Sequence, residues 1–308
     1  IPLIYFIINK KVQIGDEKMP EFIKTAEDIY LLKTPFSTVW TGIVLITGQK
    51  NFLIDSGADE PEKYIIPALN KMGLDIKDIS YLLNTHSHGD HIAGHFSLVN
   101  KYGLKTAVCK KGFDNLLNPA KNAIKIRTKF PKYSPPPQSW LKGVFADKVL
   151  DDGELLCERL KPLCSPGHDT DCVCWYDIKT KTIICGDSLQ ANGTPTQGIG
   201  FYQSLSDYKN TINRLLGEDI KNIICGHDYD GIGSVICGRE NTKKALNLCL
   251  EYTNIYNDLI FKYVTEKILT DPGEIAVKLI NEVGCGMPEN LFLALYTVTE
   301  HLKEIKKL

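Results

Sequence analysis

The chain has 308 residues, of which 43% are hydrophobic, 9% aromatic and 24% charged, with 24 Gly and 15 Pro spread among apolar runs. That profile excludes collagen, coiled-coil and wholly disordered chains and fits an α/β globule with enough apolar side chains for a large core. Thirty-six Lys and Arg against 37 Asp and Glu leave a formal charge of −1, a total that speaks against a dedicated nucleic-acid binder.

In chain order, IPLIYFIIN is too short to span a bilayer. It lacks the basic region and small-residue cleavage site of a signal peptide, so residues 1–18 read as an N-terminal extension of undetermined role and no membrane partner is expected. From Asp28 the β-branched runs DIYLLK, VWTGIVLI and FLIDSG predict strands, with a Gly48–Asn51 turn between the last two. A helix is expected from Pro61 to a stop at Gly73, then a buried strand at ISYLLN and a helix starting at His91.

The second half repeats this grammar in ERLKPLCSP, a DCVCWYDIKTKTIICGDSL hairpin turning at 178–181, a helix at 206–216 and the strand NIICGH. Two strand-rich halves of this kind predict a pseudo-duplicated sandwich over residues 19–238. Residues 239–308 read as a helical appendage with helices at 239–267, 272–283 and 288–306, the second opened by Asp271 and Pro272 in N-cap and first-turn positions. Ten cysteines spread over the chain without a CxxC pair are no disulfide framework. Cys164, Cys174, Cys185 and Cys225 lie in apolar runs as small hydrophobes, and a reducing, cytoplasmic setting is expected.

The near-neutral total hides an asymmetry. Residues 101–148 carry eleven basic and two acidic side chains, a net of +9. With Pro131, Pro135, Pro136 and Pro137 the segment is too proline-rich for one helix, and helix, irregular loop and strand are expected. If it forms the rim of a pocket together with Tyr133, Trp140 and the loop Gly193–Gln203, it favours an anionic small molecule through steering; a solvated charged surface is the alternative.

The loop Thr85-His86-Ser87-His88-Gly89-Asp90-His91 sets four metal-capable side chains within six residues just beyond an apolar strand. Each imidazole would otherwise need its own partner in one tight turn, whereas a divalent metal satisfies them together. His86 and His88, two residues apart in an extended loop, point the same way. Asp90 and His91, at the start of the next helix, can serve a second point nearby. Further ligands are expected at other strand ends, and His168 in SPGH, Asp187 in CGDS and His227 in CGH stand there, each beside a turn-permitting Gly.

With Asp55 in LIDSG, these motifs in this order resemble the metallo-β-lactamase superfamily of metal-dependent hydrolases, over residues 28–230, and the glyoxalase II-like and lactonase-like branches within it. The resemblance implies a four-layer αβ/βα sandwich of the α/β class. It implies two divalent metal ions, zinc first with iron or manganese as alternatives. His86, His88 and His168 would bind one, Asp90, His91 and His227 the other, and Asp187 would bridge them. Asp55 would orient a ligand, or merely form a turn before Ser56 and Gly57. His95, one turn after His91, is read as exposed or structural in preference to a place on the pocket rim.

A bridging hydroxide attacking a small ester-like substrate, a thioester or lactone, with Asp90 handling the proton, is the expected chemistry. A phosphodiesterase or nuclease of the same fold is the alternative, although stacking aromatics are sparse. A non-hydrolytic iron-dependent oxygenase or ligand sensor is the other. The apolar C-terminal helices could equally support a homodimer.

Overall fold

The computed structural model describes residues 20–306 other than residue 59; the extension read at 1–18 lies outside the described residues. Strands β1 (Ile23–Ala26), β2 (Ile29–Phe36), β3 (Val39–Ile46) and β4 (Asn51–Ile54) form an antiparallel meander. Helix α1 (Ile65–Lys71) leads to β5 (Ile79–Leu83), which lies parallel to β4. Two short helices, α2 (Gly89–Ile92) and α3 (His95–Asn100), precede β6 (Thr106–Cys109). Helices α4 (Phe113–Leu117) and α5 (Pro119–Thr128) then lead to β7 (Lys148–Leu150), completing a seven-stranded sheet in sequence order.

The second sheet holds β8 (Leu160–Cys164), β9 (Val173–Asp177), β10 (Thr182–Gly186), β11 (Asn222–Tyr229) and β12 (Gly233–Cys237) in the order β12-β11-β10-β9-β8. Helix α6 (Leu205–Leu216) makes the crossover from β10 to the parallel β11. Beyond β12 come α7 (Arg239–Thr265), α8 (Pro272–Glu282) and α9 (Phe292–Ile305).

Strand side chains alternate between faces, and here both faces are covered, which is why these strands read as continuous apolar runs. In β4, Phe52 and Ile54 point between the sheets while Leu53 meets α1 on the outer face. In β9, Val173 and Trp175 point inward while Cys174 and Tyr176 meet the layer of α6 and α7. The result is helix, sheet, sheet, helix, as the resemblance implied. Burying each such Leu, Ile or Val contributes about 1.5–3 kcal/mol. Helices α7, α8 and α9 share a further core built on Tyr256, Ile260, Leu279 and Val298.

Local chemistry explains where the elements depart from their expected bounds. The helix expected from Pro61 begins at Ile65, because residues 61–64 form turns and Tyr64 offers no side-chain cap; Gly73 at φ +74° follows its C-terminus. The helix expected to run on from His91 is broken at residues 93–94. Gly94 lies so close to the first sheet that a Cβ there would stand 2.9 Å from the Ser56 carbonyl oxygen. The strands at 23–26, 106–109 and 233–237 are short and were not expected. Asp271 caps α8 by accepting from Gly273 N and Glu274 N at 2.9 and 3.0 Å, with Pro272 in the first turn.

Candidate metal centre

The loop after β5 is fixed from both sheets. Val173 N donates to Thr85 O at 2.8 Å, and the buried Trp175 indole donates to Asn84 O at 2.9 Å. Asp55, at φ +65° just past β4, accepts from Thr85 N at 2.7 Å and Thr85 Oγ1 at 2.8 Å. A backbone bond from Ser56 N to His91 O at 2.7 Å ties the same corner to α2. This loop and the ends of β8, β10 and β11 converge on one point, so His86, His88, Asp90, His91, His168, Asp187 and His227, distant in sequence, form one cluster. The candidate ligand atoms of His86, His88 and His168 lie within 4.8 Å of one another, as do those of His86, His91 and Asp187 and those of Asp90, His91 and His227.

Each imidazole has one nitrogen turned to a protein partner. His91 Nδ1 donates to Asp55 Oδ2 at 2.8 Å and His227 Nδ1 to the Trp40 carbonyl at 2.6 Å, while His168 Nδ1 stands 3.0 Å from the Phe201 carbonyl and 2.8 Å from the Gln190 amide nitrogen. His86 Nδ1 contacts Thr85 Oγ1 at 3.1 Å, whose own proton goes to Asp55. His88 reverses the pattern, donating from Nε2 to Asp169 Oδ2 at 3.0 Å. The other nitrogen of each of the five rings turns inward. His88 Nδ1 and His168 Nε2 stand 3.0 Å apart, two lone pairs that repel unless a cation or proton lies between them.

The carboxylates complete the centre. Asp90 Oδ2 accepts from Thr41 Oγ1 at 3.2 Å and lies 3.2 Å from His227 Nε2. Asp187 touches both halves of the cluster, 3.4 Å from His91 Nε2, 3.3 Å from His227 Nε2 and 3.6 Å from His168 Nε2. Burial alone would depress the His227 imidazole, but Asp187 and Asp90 outweigh it and raise it to about 10. Burial and the neighbouring His88 push His168 down to about 4. The carboxylates thus demand positive charge at this spot, while His168 resists carrying it as a proton. His86 Nε2, His91 Nε2 and Asp187 Oδ1 are buried without a hydrogen-bond partner, an arrangement costly to leave unsatisfied. This donor set fits divalent metal ions.

Two positions show what sequence patterns concealed. Asp169, which also accepts from Asn122 Nδ2 at 2.9 Å, orients His88 but follows His168 in the chain with no periodic signal. Gly226 is bare because a Cβ there would stand 2.5 Å from Asp187 Oδ1 and 2.8 Å from His91 Cε1. His95 is buried away from the centre, 2.8 Å from Ser56 Oγ, and so has a structural place.

The cluster lies at the base of a cavity of about 560 Å³, walled by Phe36 at the end of β2, Thr38 of the turn after it, Ile126 and Arg127 of α5, the 193–199 loop, Phe201, and Met287, Pro288, Phe292 and Leu293 before and within α9. Of the +9 segment, Arg127 is the only Lys or Arg among the described residues lining it. Trp140 is 59% exposed and Tyr133 packs against the C-terminal helices, both outside the cavity wall. Among the described residues no helix is long and apolar enough to cross a membrane.

A solved metallo-beta-lactamase family protein from Thermus thermophilus superposes with a TM-score of 0.68 at 18% identity, over 91% of this chain and 94% of that one. A beta-lactamase-like protein 2 homolog of Caenorhabditis elegans is 26% identical over 206 residues, 66% of this chain and 59% of that protein. A hydroxyacylglutathione hydrolase of Pelagibacter ubique is 26% identical over 180 residues, 55% of this chain and 62% of its own length. The chain thus spans under two thirds of either curated relative. The family model described as the metallo-beta-lactamase superfamily matches residues 35–227, a stretch that begins in β2 and ends on His227, and the chain belongs to that superfamily.

Proposed function

We propose that the protein is a dinuclear metal-dependent hydrolase of a small ester-like molecule, a thioester or lactone. His86, His88 and His168 hold one divalent ion, Asp90, His91 and His227 the second, and Asp187 reaches both. The observation that carries this reading is the set of five imidazoles, each tied outward through one nitrogen and turned inward with the other, around Asp187, whose Oδ1 is buried without a hydrogen bond. Zinc is the first choice of metal, and iron or manganese accept the same His and carboxylate donors. When bound, such ions lower the pKa of a shared water from about 15.7 towards 7 and polarise the electrophilic oxygen of the substrate.

The chain's own residues do the rest. Asp90, held through Oδ2 by Thr41, is placed to accept a proton at the floor of the cavity and pass it to the leaving group. Phe201 and Phe292 form an apolar wall beside His168 that keeps bulk water off one flank of the site. The hydroxyacylglutathione hydrolase among the relatives supports hydrolysis of a small molecule. A cavity with a single Lys or Arg on its wall gives no continuous basic track for a polynucleotide, which favours the small-molecule reading over the nuclease one.

The test is metal analysis of the purified protein followed by a panel of thioester, lactone, β-lactam and bis-nitrophenyl phosphate substrates. About two equivalents of metal and turnover of a thioester or lactone are expected. A metal-replete Asp187→Ala protein that keeps full activity overturns the dinuclear reading, and iron with oxygen consumption in place of hydrolysis overturns the reaction class.

A further inference from the structure

Arg127 stands on the last turn of α5 and lines the same cavity as the metal centre. Its Nε and Nη1 are buried without a hydrogen-bond partner, and Asp90 acts on it through its charge alone, with neither a hydrogen bond nor an ion pair between them. A guanidinium keeps its charge at any physiological pH and presents its N–H groups in a planar fork. Leaving such donors dry and unpaired costs free energy, so a fold that keeps them so has a reason outside its own contacts.

The backbone beneath Arg127 is anchored on two sides. Asn122, five residues earlier on α5, donates to Ser87 Oγ at 3.1 Å and to Asp169 Oδ2 at 2.9 Å, tying the helix to the His86–His88 loop and to the residue that orients His88. Tyr296 Oη of α9 donates to the Ile126 carbonyl at 2.9 Å. Beside the guanidinium, Ile126, Phe201 and Phe292 form a continuous apolar wall. The cavity therefore offers a polar floor, an apolar flank and one fixed cation.

We propose that Arg127 receives a carboxylate carried by the substrate away from its scissile bond, which makes the substrate class an ester-like compound with a free carboxylate on an apolar body. This rests on the hydrolytic reading of the site. A monoanionic carboxylate matches a single fork, whereas a phosphate dianion generally gathers several cations or a nest of backbone N–H groups.

The test uses the metal-loaded full chain and two thioesters that differ only in a terminal carboxylate and its methyl ester. The wild type should prefer the acid. In R127Q the ratio of kcat/KM for acid over methyl ester should fall about tenfold or more, mainly through KM, as expected for loss of a charge-assisted hydrogen bond, with R127K intermediate. Glutarate, followed by calorimetry, should bind the wild type and lose that binding in R127Q. R127Q loses the attraction of Asp90 but no hydrogen bond, so its unfolding temperature serves to show that the variant is folded.

An unchanged ratio, or glutarate bound equally by both proteins, overturns the proposal. Inorganic phosphate displacing glutarate from the wild type at lower concentration overturns the choice of carboxylate. If the metal-replete wild type turns over neither thioester, the hydrolytic reading fails, and the glutarate measurement still decides the role of Arg127.

Discussion

Asp55 and Asp169 each anchor an imidazole of the candidate metal centre, one holding His91 through Nδ1 and the other His88 through Nε2. A carboxylate behind a ligand fixes the ring and raises its basicity, and removing it typically weakens metal binding about 10–100-fold. On the dinuclear reading, Asp169→Ala is expected to weaken the site of His86, His88 and His168 more than the other, whereas Asp55→Ala, which also frees Thr85 beside His86, should weaken both. Competition against a chromophoric chelator should then resolve one weak and one strong equivalent in Asp169→Ala and two weakened equivalents in Asp55→Ala. The candidate ligands were legible in the sequence because three His and an Asp within six residues can hardly all find separate protein partners in one tight turn. Asp169 and Arg127 were not, since a carboxylate beside a histidine has no periodicity and Arg127 is one of eleven cations in its segment. What singles Arg127 out is a missing partner, which only three dimensions reveal.

At the scale of elements, the apolar runs announced most strands, because burial on both faces leaves no polar alternation to obscure them. Short strands such as Thr106–Cys109 and the break between α2 and α3 depend on contacts with distant segments, which local pattern does not carry. Gly226 on β11 shows the same dependence. Gly226→Ala should displace Asp187 or His91 and lower metal content while leaving far-ultraviolet circular dichroism unchanged; full metal content in the variant would show that the strand gives way instead.

The contact between α7 and α9 makes a pH prediction. His301 is fully buried, its Nδ1 donating to Asn257 Oδ1 and its Nε2 accepting from Tyr202 Oη at 2.6 Å. Burial, assisted by the charge of Lys209, lowers it from the ordinary 6.5 to about 3. Between those values the unfolded chain takes up a proton that the folded chain refuses. The stability from this residue is therefore complete above pH 6.5 and declines as pH falls towards 3. Chemical denaturation at several pH values should show that decline, and His301→Gln should flatten it.

Across the whole molecule, the candidate ligands come from both sheets, His86 to His91 from the first and His168, Asp187 and His227 from the second. Ions bound there would add to the apolar packing and the hydrogen bonds that already join the halves, such as Val173 N to Thr85 O and the Trp175 indole to Asn84 O, and would stabilise the folded chain by mass action. Chelation should lower the unfolding temperature, and re-addition of metal should restore it in proportion to the logarithm of its concentration. The layered architecture was legible from the repeated order of strands and helices. The side chains that tie α7 to the second sheet are Ala245, Leu246 and Cys249, which fill the layer outside β10 and β11.

The cavity's floor and part of its wall have different origins along the chain. The floor belongs to the stretch matched by the superfamily, residues 35–227, while Met287, Pro288, Phe292 and Leu293 come from beyond it. Membership of the superfamily thus speaks for the candidate ligands at the floor, while the shape of this side of the entrance is set by residues that the family model does not reach.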